Sequence, residues 1–269
     1  MAGPASLEDT IVVLEGNEPP DRTVRLEPTA RRVRAYVNGV AVADSKRAML
    51  MFETWRLPVY YVPAEDVRMD CLEPASRTSD SPLKGVATHL NIRVGERFVE
   101  DAAWRYGDPP AGGPDLRDFV AFYWQKMDAW YEEDDEVFVH PRDPYHRVDV
   151  LNSSRHVRVM AGGEVVAETR RPRLLFETGL PTRYYIPRQD VRLDRLVPSD
   201  TVTRCPYKGT TVHFSIQAAD RLLPDLAWSY PFPIPECPKI ENLICFYDER
   251  VDAIEVDGEV MAKPRTPWS

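Results

Sequence analysis

The 269-residue chain contains two copies of one sequence pattern, offset by 124 positions. Phe-Glu-Thr at 52–54 recurs at 176–178, and Pro-Leu-Lys-Gly at 82–85 recurs as Pro-Tyr-Lys-Gly at 206–209. The register holds without a gap until Asp128 and Asp252. Each copy is much longer than the ~20–50 residues of a solenoid repeat, so the pattern predicts two homologous domains produced by an internal duplication.

The offset also suggests domain boundaries. We expect an N-terminal extension over residues 1–30, a first domain over 31–140, a linker over 141–154 and a second domain over 155–269. The predicted linker begins with the polar, proline-containing segment Pro-Arg-Asp-Pro-Tyr-His, which is typical of connections between domains.

Within each copy, short apolar runs alternate with turn residues. Runs at 33–37 and 40–43 flank Asn38-Gly39, a dipeptide that favours a type I′ hairpin. Gly162-Gly163 and Asp257-Gly258 predict two more hairpins in the second copy. The only plausible helices span about 115–127 and 240–250. The predicted fold class is therefore mainly β, with two tandem domains.

Composition excludes several classes of protein. Apolar residues make up 43% of the chain, enough to form hydrophobic cores, and the formal charge is −9, which disfavours nucleic acid as a partner. The sequence lacks the long apolar segment of a membrane span and a secretory leader, so we expect a cytoplasmic protein without a membrane partner. The four cysteines form no C-x-x-C pair, and disulfides are not needed in a chain of this size. The oligomeric state is left open.

The second copy resembles a family of domains of unknown function, DUF427. The resemblance rests on Leu-Phe-Glu-Thr-Gly-Leu-Pro-Thr-Arg-Tyr-Tyr-Ile-Pro at 175–187, Thr-Arg-Cys-Pro-Tyr-Lys-Gly at 203–209 and Ala-Trp-Ser-Tyr at 227–230. The first copy is looser and has Ser-Asp-Ser-Pro-Leu-Lys-Gly at 79–85. The resemblance covers nearly the whole chain after residue 30. It implies a compact bent β-sheet domain and no particular activity.

Polar residues retained in both copies are the candidate site residues. Each copy has an acid, a tyrosine pair, an Asp-x-Arg, a lysine and a histidine. These are Glu53 and Glu177, Tyr60, Tyr61, Tyr184 and Tyr185, Asp66, Arg68, Asp190 and Arg192, Lys84 and Lys208, and His89 and His213. Each has a structural alternative: a sheet-surface or hydrogen-bonded histidine, an arginine-paired acid, a solvated turn lysine, or core-anchoring aromatics such as Trp104, Tyr106, Trp228 and Tyr230.

The leading functional interpretation is a cofactor-independent enzyme acting on a small organic molecule. Glu177 with His213, or Glu53 with His89, would transfer protons in an isomerisation, elimination, cyclisation or hydrolysis. The expected substrate-binding residues are Tyr184, Tyr185, Lys208, Arg192, Trp228, Tyr230, Tyr60, Tyr61 and Lys84. The alternative is a non-catalytic module with duplicated sites that binds small molecules or a protein. In a third interpretation only one copy is active, and the second matches the family better.

No metal or organic cofactor is expected. Cys205, His213, Cys237 and Cys245 match no familiar zinc spacing, and the first copy lacks most of them. Cys205 aligns with Ser81, so a catalytic cysteine is poorly supported. The acidic run at 132–136 lacks the spacing of a calcium loop and is predicted to be a solvated turn.

Overall fold

The structure is a computed structural model that describes residues 22–54 and 56–266. The chain divides into two compact units, Met1–Asp143 and Pro144–Ser269. Both units consist of β-strands with short 3-10 turns, which confirms the mainly β fold class.

The first domain contains eleven strands among the described residues. They are β1 (Val24–Pro28), β2 (Val33–Val37), β3 (Val40–Ser45), β4 (Met49–Glu53), β5 (Val59–Pro63), β6 (Leu72–Ser81), β7 (Gly85–Val94), β8 (Arg97–Tyr106), β9 (Phe119–Phe122), β10 (Ala129–Glu132) and β11 (Asp135–Glu136). A seven-stranded antiparallel sheet has the order β1-β4-β5-β9-β8-β7-β6, and a four-stranded sheet has the order β11-β10-β2-β3.

The main core of the first domain lies between its two sheets. Val33, Ala35 and Val37 alternate inward from β2 and cluster with Tyr60 of β5 and Ile92 of β7. A smaller apolar cluster, formed by Met51, Tyr61, Leu116 and Ala121, covers the opposite face of the seven-stranded sheet. Successive side chains of a strand point to opposite faces, so the tyrosine pair contributes one ring to each cluster.

The second domain repeats this arrangement. Its strands are β12 (Val148–Asn152), β13 (Val157–Ala161), β14 (Glu164–Thr169), β15 (Arg173–Glu177), β16 (Arg183–Tyr185), β17 (Leu196–Ser199), β18 (Arg204–Cys205), β19 (Gly209–Ala218), β20 (Arg221–Pro233), β21 (Cys245–Phe246), β22 (Ala253–Val256) and β23 (Glu259–Val260). A bridge between Ile186 and Ile244 joins β12-β15-β16 to β17-β19-β20-β21, and β14-β13-β22-β23 is the counterpart of the smaller first-domain sheet.

All three predicted hairpins are confirmed. Asn38 and Gly39 have φ of 49° and 74°, Gly162 and Gly163 have 61° and 79°, and the turn at 257–258 has 55° and 90°. Positive φ at both central positions defines the type I′ turn, whose twist matches that of the flanking strands.

The two expected helices are wrong. The segment 115–127 contains β9 and a 3-10 turn at Trp124–Lys126, and the segment 240–250 contains the end of the 3-10 turn Pro238–Ile240 followed by β21. The apolar run at 119–122 fills the buried centre of a sheet, where strands lack a polar face. Periodicity does not distinguish such a run from a buried helical turn.

The structure also differs from the expected domain boundaries. β1 lies within the residues assigned to the N-terminal extension and pairs with β4, so it belongs to the first sheet. β12 lies within the residues assigned to the linker and pairs with β15 in the same way. Both strands are edge strands with partly exposed residues, so their sequences carry a weak apolar signal.

The pairing register of a long hairpin shifts in each domain. The β7–β8 register shifts between Leu90 and Ile92, and the β19–β20 register shifts between Phe214 and Ile216. Near each shift an aspartate has positive φ: Asp101 at 47° and Asp225 at 49°. A bulge places extra residues in one strand and increases the local twist of the pair.

Candidate functional site

Glu53 is the centre of a buried ionic cluster in the first domain. It ends β4 and is 8% exposed. Lys84 Nζ lies 2.5 Å from Glu53 Oε2, whereas Arg22 Nη2 and Arg56 Nε lie 2.7 Å and 3.2 Å from Oε1. Three cations therefore surround one carboxylate, and the cluster has excess positive charge.

This environment fixes the ionisation of Glu53. Burial by itself would raise the pKa of the carboxyl group, but the hydrogen bond and charge of Lys84, the charge of Arg56 and the hydrogen bond from Arg22 lower that pKa overall. Glu53 is thus a carboxylate at neutral pH. Its low proton affinity makes it a poor general acid and a weak general base.

Glu177 has the equivalent position at the end of β15. Its carboxylate contacts the Lys208 ammonium group through Oε2 and His146 Nε2, at 3.0 Å, through Oε1. The His146 ring stacks on Tyr207, with 4.1 Å between ring centroids. The second domain therefore holds its acid with one lysine and one imidazole.

In this second cluster the pKa of Glu177 is lowered and the pKa of Lys208 is raised. Burial would raise the pKa of Glu177, but His146 and Lys208 lower it overall. Burial would lower the pKa of Lys208, but Cys205 and Glu177 raise it overall. The lysine is therefore held as an ammonium ion, which is unsuitable for forming a Schiff base.

The two histidines occupy equivalent places and each contacts a hydroxyl group. His89 on β7 is 1% exposed, and its Nε2 lies 3.0 Å from Ser79 Oγ. His213 on β19 is 2% exposed, and its Nε2 lies 3.1 Å from Thr203 Oγ1. Burial lowers the pKa of His213, which favours the neutral imidazole at neutral pH.

A stack of aromatic rings fixes each histidine. His89 lies parallel to Tyr123, with 5.9 Å between centroids, and Tyr123 contacts Trp104 at 4.6 Å. In the second domain His213, Tyr247 and Trp228 repeat the arrangement at 6.3 Å and 4.4 Å. The repeated stack explains why the aromatic residues recur in both copies.

A cavity of about 380 Å³ lies in the first domain. Both Glu53 and His89 line it, although each has its own polar partners. The described lining residues include four cations, Arg22, Arg56, Arg77 and Lys84, and two acids, Glu53 and Asp80. Its aromatic lining consists of Tyr60, Tyr61, Trp104, Tyr106, Phe122, Tyr123, Trp124 and Trp130.

All four residues of the predicted tyrosine pairs are buried. Tyr60 donates a 2.8 Å hydrogen bond to Glu132, and Tyr61 makes an edge contact with Trp104. Tyr184 belongs to the main core of the second domain, and Tyr185 accepts a 3.3 Å hydrogen bond from Trp228 Nε1. Burial raises the pKa of Tyr61 and of Tyr185, so their hydroxyl groups stay protonated.

Three other predicted binding residues are held by structural contacts. The Arg192 guanidinium pairs with the exposed Asp194 carboxylate at 2.7 Å, beside a 3-10 turn, and not with the Glu177 cluster. Asp190 pairs with Arg171 and accepts a hydrogen bond from Thr169, so the Asp-x-Arg pattern stabilises turns. Trp228 and Tyr230 are buried in the second apolar cluster of their domain, with Cys237 and Cys245.

Glu132 was missed because it opens the acidic run at 132–136. The other four residues are exposed, as a solvated turn predicts, but Glu132 is 6% exposed. Its carboxylate contacts Arg31 at 2.5 Å and accepts the Tyr60 hydrogen bond. The strand alternation of β10, which turns Trp130 and Glu132 inward, was the available signal.

A second missed cluster surrounds Arg183 of β16. This buried arginine binds Glu249 with both guanidinium nitrogens, at 2.9 Å and 2.5 Å, and lies 3.3 Å from Asp248. Burial, with a further contribution from Glu249, raises the pKa of Asp248 to about 6 although Arg183 lowers it. The first copy has Val59, Trp124 and Gln125 at the equivalent positions, so comparing the copies gave no signal.

Over residues 22–54 and 56–266, no three His, Cys, Asp or Glu side chains converge to hold a metal ion. No helix in that part of the chain is long and apolar enough to cross a bilayer.

Comparison with known proteins agrees with the duplicated architecture. The family model of a domain of unknown function, DUF427, matches residues 25–133 and again residues 149–257. The two matches cover most of the chain and begin close to β1 and β12. No curated protein matches the sequence.

Proposed function

We propose that this chain, which belongs to the DUF427 family, binds a small organic anion in the cavity of its first domain. The observation that carries the proposal is the excess of cations around Glu53. Arg22, Arg56 and Lys84 share one carboxylate, and two of these cations, Arg22 and Arg56, are about half exposed. An incoming carboxylate or phosphate would meet arginine donors suited to planar, bidentate recognition.

The aromatic lining favours a ligand with an apolar or aromatic body. Trp104, Tyr106 and Tyr123 line the same cavity as the cations. Small-molecule sites commonly combine such apolar walls with a few polar groups that orient the ligand. The cavity volume of about 380 Å³ lies in the range of small-molecule pockets.

The test compares three matched compounds in a thermal-shift assay with the full chain: an aromatic carboxylate, its neutral primary amide and the corresponding amine. The carboxylate should raise Tm most, because a ligand of the native state stabilises it in proportion to its affinity. Equal shifts from acid and amide, or no shift with any carboxylate or phosphate, would rule out the proposal.

The second copy has Leu180 at the position equivalent to Arg56, so Arg56→Leu introduces into the first domain the residue that the second domain already has. Arg56→Leu should weaken binding of the carboxylate about tenfold, which corresponds to one lost hydrogen bond to a charged group. Arg192→Leu removes the same charge at an exposed turn and serves as the control. Equal losses in both variants would indicate a nonspecific effect of net charge.

A second candidate is an acid–base enzyme, supported by the presence of both His89 and Glu53 on the cavity wall. Since Glu53 is held as a carboxylate, His89 would carry the proton and Glu53 would orient or stabilise a cationic intermediate. Glu53→Gln and His89→Asn, both checked for folding, should then abolish turnover while retaining ligand binding. Loss of binding alone would favour the non-catalytic module.

The expected partners and location belong to the same proposal. A net charge of −9 supports a small-molecule ligand over nucleic acid. The four cysteines are free thiols in the structure, which supports a reducing compartment such as the cytoplasm. Localisation of a tagged full-length protein would test this, and a secreted, disulfide-bonded product would contradict it.

A further inference from the structure

Ser79 and His89 form a hydroxyl–imidazole pair on the wall of the first-domain cavity. Ser79 lies on β6 and is exposed, whereas His89 lies on the neighbouring strand β7 and is 1% exposed. Ser79 Oγ lies 3.0 Å from His89 Nε2, and both residues line the cavity. An accessible hydroxyl group next to a buried imidazole is the arrangement of an activated serine nucleophile.

The imidazole is held in a fixed orientation. Its ring lies nearly parallel to that of Tyr123, at an interplanar angle of 12°, and Tyr123 packs on Trp104. β7 lies between β6 and β8, and His89 pairs with Trp104 of β8. A general base is effective when it is oriented in advance and within hydrogen-bond reach of the proton that it accepts.

We infer that Ser79 is a nucleophile and His89 its general base in acyl transfer from an ester or thioester bearing an anionic group. The inference rests on the proposed function in one respect, namely that the substrate occupies the same cavity. Lys84, Arg22 and Arg56 would receive the anionic group, and the aromatic wall would receive the apolar part.

The reaction needs no oxidant, reductant or metal ion. Ser79 Oγ would attack the acyl carbon while its proton moves to His89 Nε2, so that an oxygen–carbon bond forms and the carbonyl electron pair moves onto oxygen. When that pair returns, the bond to the leaving alcohol or thiol breaks, and His89 donates the proton to it. Water, activated by His89, then hydrolyses the acyl-serine and releases the acid.

The second domain provides a built-in comparison. Thr203 Oγ1 lies 3.1 Å from His213 Nε2, so the same hydrogen bond is present with a secondary hydroxyl group. Thr203 also contacts Thr211 Oγ1 at 2.7 Å. If each hydroxyl group served only as a hydrogen-bond partner of the buried imidazole, Ser79 and Thr203 would be equally unreactive. If Ser79 is a nucleophile, we expect covalent modification of Ser79 alone.

The first experiment treats the full-length protein with a fluorophosphonate probe, whose phosphorus forms a bond to a nucleophilic serine as fluoride leaves. Peptide mass spectrometry then locates the adduct. We expect it on Ser79, with a labelling rate reduced about 100-fold or more in Ser79→Ala. Thr78→Ala removes an exposed hydroxyl group from the residue of β6 that precedes Ser79, and Thr203→Ala tests the second domain. Both variants should label like the parent protein.

A second measurement addresses the role of His89 through a substitution at the exposed Ser79, so its result does not depend on the folding of a His89 variant. In Ser79→Cys, the rate of alkylation of the new thiol should plateau at a lower pH than that of free cysteine, because a neighbouring imidazole promotes thiolate formation. His89→Asn, if folded, should slow the labelling of Ser79 about 100-fold.

Several outcomes would overturn the inference. They are an adduct on Thr203 or on no residue, unchanged labelling in Ser79→Ala, and alkylation of Ser79→Cys with the pH profile of an ordinary thiol. These outcomes are separate from failure of the binding proposal. If Ser79 is unreactive but a carboxylate still raises Tm, the cavity binds anions without acyl transfer. If Ser79 reacts but no anion binds, the cation cluster has another role.

Discussion

The Nε2 atom of His146 lies 3.0 Å from Oε1 of Glu177, in the place where Arg22 contacts Glu53 in the first domain. His146 and Arg22 each lie two residues before the first strand of their domain, and each is 31 residues from its acid. The duplication therefore preserved the position of the contact and changed its chemistry. A histidine replaces an arginine, and Leu180 replaces Arg56.

This difference predicts unequal effects of removing the two lysines. Lys208→Met leaves Glu177 with His146 alone and should lower the free energy of unfolding of the second domain by about 3–5 kcal/mol. Lys84→Met leaves Glu53 with two arginines and should cost about half as much. Hydrogen exchange of the full chain reports on each domain separately. Equal costs would mean that the additional arginines do not compensate.

The Arg183 cluster predicts opposite effects for two neighbouring acids. The pKa of Asp248 is raised from 3.8 to about 6, so its stabilising contribution is fully present below about pH 4 and is lost as pH rises through about 6. Asp248→Asn should therefore stabilise the second domain at pH 7, by about 1–3 kcal/mol, and remove this pH dependence.

Glu249→Gln is the matched control for that change. The pKa of Glu249 is lowered although burial would raise it, because Arg183 and Thr266 bind its carboxylate. Its contribution is present above the ordinary glutamate pKa and is lost as pH falls through the lowered value, so Glu249→Gln should destabilise the domain at pH 7. Urea unfolding between pH 4 and pH 8 measures the free energy of unfolding of both variants, Asp248→Asn and Glu249→Gln. Destabilisation by both variants would contradict the assigned direction for Asp248.

Two adjacent glycines in the β13–β14 turn predict different costs for the same substitution. Gly163 has φ of 79° and no atom within 4 Å of a built Cβ, so Gly163→Ala should cost about 1 kcal/mol from backbone strain alone. A Cβ on Gly162 would lie 2.1 Å from the Ala218 Cβ, so Gly162→Ala should cost about 3 kcal/mol. Denaturant unfolding of Gly162→Ala and Gly163→Ala measures both costs. Similar midpoints for the two variants would rule out close packing at Gly162.

Removing the hydroxyl group of the first tyrosine in each pair should affect the stability of the two domains differently. The Tyr60 hydroxyl donates a hydrogen bond to the buried Glu132, so Tyr60→Phe should cost about 1.5–3 kcal/mol. Within the described residues the Tyr184 hydroxyl has no hydrogen bond, so Tyr184→Phe should change stability by less than about 0.5 kcal/mol. Thermal unfolding of the two variants checks this, and a larger effect at Tyr184 would contradict it.

The sequence indicates candidate residues but not which of their side chains are in contact. Glu53 and Lys84 were selected because both recur after 124 positions, yet neither copy indicates that their side chains meet. The same comparison selected Arg192, whose partner Asp194 is two residues away in an exposed turn. Recurrence in a duplicated chain therefore selects structural ion pairs as readily as site residues.

The duplication, the β class and the three hairpins can be predicted from the amino-acid sequence, because they follow from comparing residues and from the φ angles that Asn-Gly, Gly-Gly and Asp-Gly turns tolerate. Three other features are visible only in the folded domains: residues 115–127 form a strand and a turn, Glu132 is buried, and Arg22 and His146 complete the acid clusters. Those features depend on which strands become neighbours, and antiparallel pairing places residues distant in sequence in direct contact.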